Sequence, residues 1–159
     1  MATATDTLHR ILYACRMTSD CEDDVDGVLA DILAVSVPVN QAFGVTSMLL
    51  AHRGWFIGAL EGEQPAVQAA LERLGADGRH LGICTLSHGT PAERMFAGWS
   101  LCAWALSDDD AAVLSGFDEE DDFDATVVPE RIVLRLLAVV AKAHRRRFDA
   151  QQRLTIRRA

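Results

Sequence analysis

The run RGWFIGALEG, Arg53 to Gly62, constrains this chain more than any other stretch. Side chains of a strand alternate between its faces, so Trp55, Ile57 and Ala59 point one way and Phe56, Gly58 and Leu60 the other. Both sets are apolar. A strand of this kind belongs in the middle of a sheet that is covered on both sides. Gly58 is the exception within it: glycine weakens a strand interior, so the position is either a place of close approach or a lost side chain.

Covering such a strand twice requires enough chain. The 159 residues, half of them hydrophobic, supply one sizeable core. No apolar run approaches the about 20 residues of a membrane-spanning helix, and Met1 to Thr7 is short and polar for a secretory signal. The expectation is a cytoplasmic protein with no membrane contact. A net charge of −8 argues against nucleic acid as a partner. Cys15, Cys21, Cys84 and Cys102 show no C-x-x-C spacing and read as reduced, mostly buried thiols. A zinc site built from them with His80 or His88 is the minor alternative.

Taken in order, Leu8 to Cys15 reads as a first strand. Ser19 or Asp20 caps a helix with Glu22, Asp23 and Asp24 in its first turn and an apolar stripe of Val25, Val28, Leu29, Ile32 and Leu33, ending near Pro38. Val45 to Ala51 and Trp55 to Leu60 form a hairpin around His52, Arg53 and Gly54. Glu63 and Pro65 open a second helix, with Val67, Ala70, Leu71 and Leu74 inward and Gly75 near its stop. Leu81 to Leu86 and Met95 to Leu106 are two further strands. The order predicts an α+β, ferredoxin-like β-α-β-β-α-β-β sandwich: a five-stranded mixed sheet with two helices on one face and C-terminal helices beyond. Residues 1–107 form the domain and 108–159 an acidic linker and helical extension. That extension carries nine acids between Asp108 and Asp124, then seven Lys or Arg between Lys142 and Ala159. Between them Pro129 to Phe148 reads as a helix with Ile132, Val133, Leu136, Leu137 and Val140 on one face.

Five separated motifs, in order, resemble the BLUF domain, a blue-light sensor that uses FAD. They are Tyr13 in the first strand, Asn40 before GVTSMLL, FIGALEG in the third strand, Asp77-Gly78-Arg79-His80 before the fourth, and Arg94 to Ser100. The resemblance covers roughly Leu8 to Leu106, and the order of five motifs is far more specific than any one of them. It implies a flavin ring between the two helices. On that resemblance Tyr13 matches the tyrosine that gives an electron and a proton to the excited flavin, and Asn40 the amide on the ring edge. Ser36 and Phe56 match pocket-lining positions, Arg79 and His80 the pair near the phosphates, and Trp99 the tryptophan of the last strand.

The chain also departs from that pattern. Gly58 stands where the family places a glutamine whose amide rearranges after light absorption, and glycine has no side chain to rearrange. Cys15 stands for serine, Leu101 for methionine and Ser47 for glycine. Read singly, Tyr13 is a core tyrosine, Asn40 a turn residue, Arg79 and His80 surface polars and Trp99 a core or interface residue. Read together, they imply a BLUF-like sensory or regulatory domain that has lost the ordinary light switch and acts through protein contacts. The alternatives are an active FAD photoreceptor in which Gln41 or water replaces the glutamine and, least supported, a small enzyme. For partners the expectation is a homo-oligomer formed through the segment after Leu106, together with a regulatory protein. The acidic and basic runs serve specificity in those contacts.

Overall fold

The computed structural model describes residues 6–117 and 123–158. Its strands are β1 (His9–Met17), β2 (Thr46–His52), β3 (Trp55–Gly62), β4 (His80–Gly89) and β5 (Cys102–Ala105). Its helices are α1 (Ser19–Asp23), α2 (Val25–Ala42), α3 (Gln64–Ala76), α4 (Asp108–Ala111) and α5 (Glu130–Arg158), with 3-10 turns at Ala112–Leu114 and Ala125–Val127. The sheet order is β4-β1-β3-β2-β5. β3 is therefore central, antiparallel to both β1 and β2, while β2 and β5 run parallel. All eight residues of β3 are buried. Trp55, Ile57 and Ala59 pack in one core with Val133, Leu136, Leu137, Val140 and Phe148 of α5. Phe56 and Leu60 pack in the other with Leu29, Ile32, Leu33 and Val37 of α2 and Val67 and Ala70 of α3. The double coverage expected of this strand is thus supplied by α5 on one face and α2 with α3 on the other.

The β2–β3 turn has positive φ at Arg53 (46°) and Gly54 (79°), the pair of conformations that suits a two-residue hairpin. The first helical stretch is split at Asp24, whose side chain accepts from the Gly27 N–H at 3.1 Å and so caps α2. α2 does not end near Pro38 but runs through it to Ala42. Proline frees the carbonyl four residues earlier. That carbonyl is on Ala34, which is exposed and can be hydrated, while the buried Val37 and Asn40 hold the last turn in place. α2 is also 18 residues long and apolar enough to match a membrane-spanning segment by length and composition. Here its buried residues face the sheet.

Three further elements differ from the sequence reading. β4 extends to Gly89, and α5 continues ten residues past Phe148. β5 is far shorter than Met95 to Leu106. The Met95 and Phe96 N–H groups donate to the Glu61 carboxylate at 2.8 and 2.9 Å instead of to a neighbouring strand, and Gly98 turns the chain at φ 85°. The apolar stripe of α5, from which self-association was expected, is buried against the chain's own sheet. Part of the basic run is also used internally: Arg145 and Arg147 lie 4.8 and 5.0 Å over the rings of Trp99 and Trp104. The acids at 118–122 lie outside the described residues. All four cysteines are free thiols. Among the described residues no three His, Cys, Asp or Glu side chains gather as a metal site.

Candidate functional site

α2 and α3 share one face of the sheet but leave a cleft between them. Its floor is Tyr13 of β1, Leu49 of β2, Leu60 of β3 and Leu101. One wall is Ile32, Val35, Ser36, Val39 and Asn40 of α2; the other is Ala70, Arg73 and Leu74 of α3, with Asp77 and Arg79 at its end. Ser36 and Asn40 are four residues apart, which puts them on the same helical face. The cleft itself is narrow, about 110 Å³, below the about 300–1,000 Å³ range of small-molecule sites, so a ring-sized ligand has to part its walls. Val35 at the rim is 65% exposed, an apolar surface that a ligand could cover.

Four of the eight residues singled out from the sequence line this cleft: Tyr13, Ser36, Asn40 and Arg79. Gly58 stands directly across from Tyr13 in the β1–β3 register. A Cβ built there would overlap the phenol, lying 2.5 Å from its Cζ and nearer still to Oη. The position is therefore a place of close approach: the tyrosine ring lies across the bare glycine backbone. Tyr13 is 2% exposed, and its hydroxyl has no hydrogen-bond partner among the described residues. Burial, assisted by the neighbouring Cys15, pushes its pKa well above the usual phenol value, so the proton stays on.

Phe56 and His80 stand behind the cleft without lining it, their rings 4.7 Å apart. Burial holds the His80 pKa below the usual value, and the ring is neutral. Burial and the Asp77 charge push the Cys15 thiol up to about 12. The protonated thiol shares a hydrogen bond with His80 Nδ1 across 3.4 Å. His80 Nε2 is left buried without a partner, 4.0 Å from Asp77 Oδ2. At the mouth, Arg79 holds Asp77 with Nε at 3.0 Å and Nη2 at 2.7 Å, a fork that keeps the carboxyl below its usual range. Trp99 lies on the other side of the sheet. Its indole donates to Asp149 of α5 at 2.8 Å and its ring meets Phe148 edge-on at 5.4 Å. Gln41, expected in the alternative photoreceptor reading to act at the site, is exposed and does not line the cleft.

Two polar residues escaped the sequence reading. Arg73 Nη2 reaches Asn40 Oδ1 at 3.5 Å; it shares a helical face with Ala70, a signal that an apolar-stripe count passes over. Glu61 is 0% exposed and takes Arg10 Nε and Nη2, Thr46 Oγ1 and the N–H groups of Met95 and Phe96. A buried carboxylate with five donors fastens the 95–101 segment against the end of β3.

A helix-flanked cleft over a mixed sheet, with apolar walls, a tyrosine and an amide inside and guanidinium groups at its mouth, defines a ligand-binding α+β domain. The family model "BLUF: Sensors of blue-light using FAD" matches residues 8–102. The chain belongs to the BLUF family. Among solved structures it resembles BlsA in its photo-activated and ground states, each with TM-score 0.71 and 25% identity over 82% of this chain, and 91% and 85% of theirs. It also resembles BlrB, "a BLUF protein, dark state structure", with TM-score 0.69 and 22% identity over 87% of this chain and 98% of that one. A bacterial light-regulated adenylyl cyclase aligns with 87% of this chain but only 35% of its own, with TM-score 0.58 and 22% identity. A comparison with curated protein sequences found no match.

Proposed function

We propose that the cleft between α2 and α3 takes the ring system of FAD and that the domain signals to a protein partner without the light switch of its family. The observation that carries this reading is the Tyr13 phenol resting on Gly58, where the family places a glutamine side chain. The residues present fit the cofactor. Ile32, Val35, Val39 and Leu74 offer apolar walls to a flat ring, Asn40 an amide to its polar edge, and Arg73 and Arg79 positive charge to its phosphates. FAD, when bound, supplies absorption of blue light and an acceptor for electrons. Tyr13 keeps its proton and turns an unpartnered hydroxyl toward the site, and Asn40 is held for binding by its own hydrogen bonds. His80 and Cys15 brace the sheet behind. The sensory output of the family supports a regulatory protein partner here, and the α5 surface outside its buried stripe is available to it.

The test is an absorption spectrum of FAD-loaded protein in darkness and after blue light. The parent is expected to bleach or reduce without a reversible red shift. In Gly58→Gln the new side chain must push the Tyr13 ring off the strand; a reversible red shift in that variant alone supports a degenerate switch on an intact site. A reversible red shift in the parent overturns the reading.

A further inference from the structure

The backbone from Trp99 to Cys102 is gripped from two sides. Toward the cleft, the Trp99 carbonyl accepts from the Ser47 N–H at 3.0 Å, and the Ser100 carbonyl accepts from Asn40 Nδ2 at 2.9 Å and Ser47 Oγ at 2.7 Å. Toward α5, the Ser100 N–H donates to Gln152 Oε1 at 3.2 Å, and Gln152 Nε2 donates to the Leu101 carbonyl at 2.5 Å. A peptide group is planar, with its C=O and N–H pointing in opposite directions. The plane joining Trp99 to Ser100 is thus held by Ser47 at one edge and Gln152 at the other, and tilting it on the α5 side tilts it on the cleft side. Gln152 is 7% exposed and both ends of its amide are used, so it acts as a short surrogate strand on the open side of β5.

We propose that Gln152 is a positioning residue for Asn40. Gln152 holds the peptides on either side of the Ser100 carbonyl, through the Ser100 N–H and the Leu101 carbonyl, and so aims the carbonyl between them at the Asn40 amide nitrogen, which leaves Asn40 Oδ1 turned toward Arg73 and the cleft. The last turns of α5 thereby complete a site on the opposite face of the sheet, and affinity in the cleft is coupled reciprocally to how α5 is seated. Only the affinity arm of this inference rests on the reading of the cleft as a flavin site.

The experiment uses the full chain, 15N-labelled and free of flavin, with the Asn40 side-chain NH2 resonances assigned by their loss in Asn40→Asp. In Gln152→Ala these resonances move, and in a parallel titration the Kd for FAD rises about three- to tenfold, the size of one lost hydrogen bond. Gln152→Glu keeps the acceptor for the Ser100 N–H but sets a carboxylate oxygen against the Leu101 carbonyl, so the resonances move in it as well; it serves if the alanine variant does not fold. Gln151→Ala removes only a bond to the Ala103 carbonyl and leaves Asn40 and the Kd unchanged. Asn40 resonances that stay in place in Gln152→Ala, or that move equally in Gln151→Ala, overturn the proposal. Failure of the parent to bind FAD overturns the flavin reading instead, and the ligand-free resonances still decide the role of Gln152.

Discussion

Tyr13 and Gly58 face each other on neighbouring strands, and the ring fills the volume that the glycine leaves. Two consequences can be measured. Gly58→Ala forces the phenol outward, and overpacking of this kind costs about 1–3 kcal/mol, which denaturant unfolding will show as a lower midpoint at unchanged slope. Tyr13→Phe removes a hydroxyl that lines the open cleft, so it is expected to leave stability nearly unchanged. A large loss in Tyr13→Phe would mean that the hydroxyl has a partner in solution. His80 yields a pH dependence. Its folded pKa lies below the unfolded value of about 6.5, so the unfolded chain binds the proton more readily. Stability tied to the neutral ring is complete above that value and is lost as pH falls through the folded one. In His80→Phe the slope of stability below pH about 6.5 is expected to be shallower.

At the scale of elements, short segments are held by buried charges that periodicity does not register. Glu61 holds the irregular 95–101 segment through two N–H groups and pairs with Arg10 at 2.7 Å. Removing one partner of such a pair strands the other, so Glu61→Ala is expected to cost about 3–5 kcal/mol. Faster amide exchange at Met95 and Phe96 will locate the damage. At the α3–β4 junction, the Arg79 fork lowers the pKa of Asp77. This contribution is present above the unfolded carboxylate value of about 3.9 and is lost as pH falls through the lower folded value. The Tm gap between parent and Asp77→Asn should therefore be widest near neutrality and close in acid. A gap that is constant with pH would assign the effect to packing.

For the whole molecule, the sheet is stable only because both faces are covered, and the segment after Ser107, with α5 joined by Leu114, Phe123, Ala125 and Val128, covers most of one of them. Leu136 and Leu137 are fully buried there. A chain ending at Ser107 would bare Trp55, Ile57 and Ala59 along with Leu12, Met48 and Leu50, a patch of the kind that drives association. Light scattering is expected to find the shortened chain aggregated. A monomeric, folded product would show that α5 is dispensable to the core. The segment from which self-association was expected is the one that completes the fold, because the chain's own second sheet face satisfies its stripe first.

Local patterns determined a good deal. Strand alternation in Trp55 to Leu60 specified a central strand with two covered faces, and helical spacing specified the inward stripes of α2, α3 and α5. These are periods of two and 3.6 residues, properties of the backbone that a sequence carries directly. The tertiary structure decided which surface met which. Burial of apolar area is non-directional, so a stripe does not name its partner. α5 chose the sheet, Trp99 turned to Asp149, and Pro38 was carried inside a helix by buried neighbours. The five donors of Glu61, the seat of Tyr13 on Gly58 and the grip of Gln152 on Ser100 join residues far apart in the chain. A hydrogen bond needs position and angle, and those exist only once the sheet has brought the groups together.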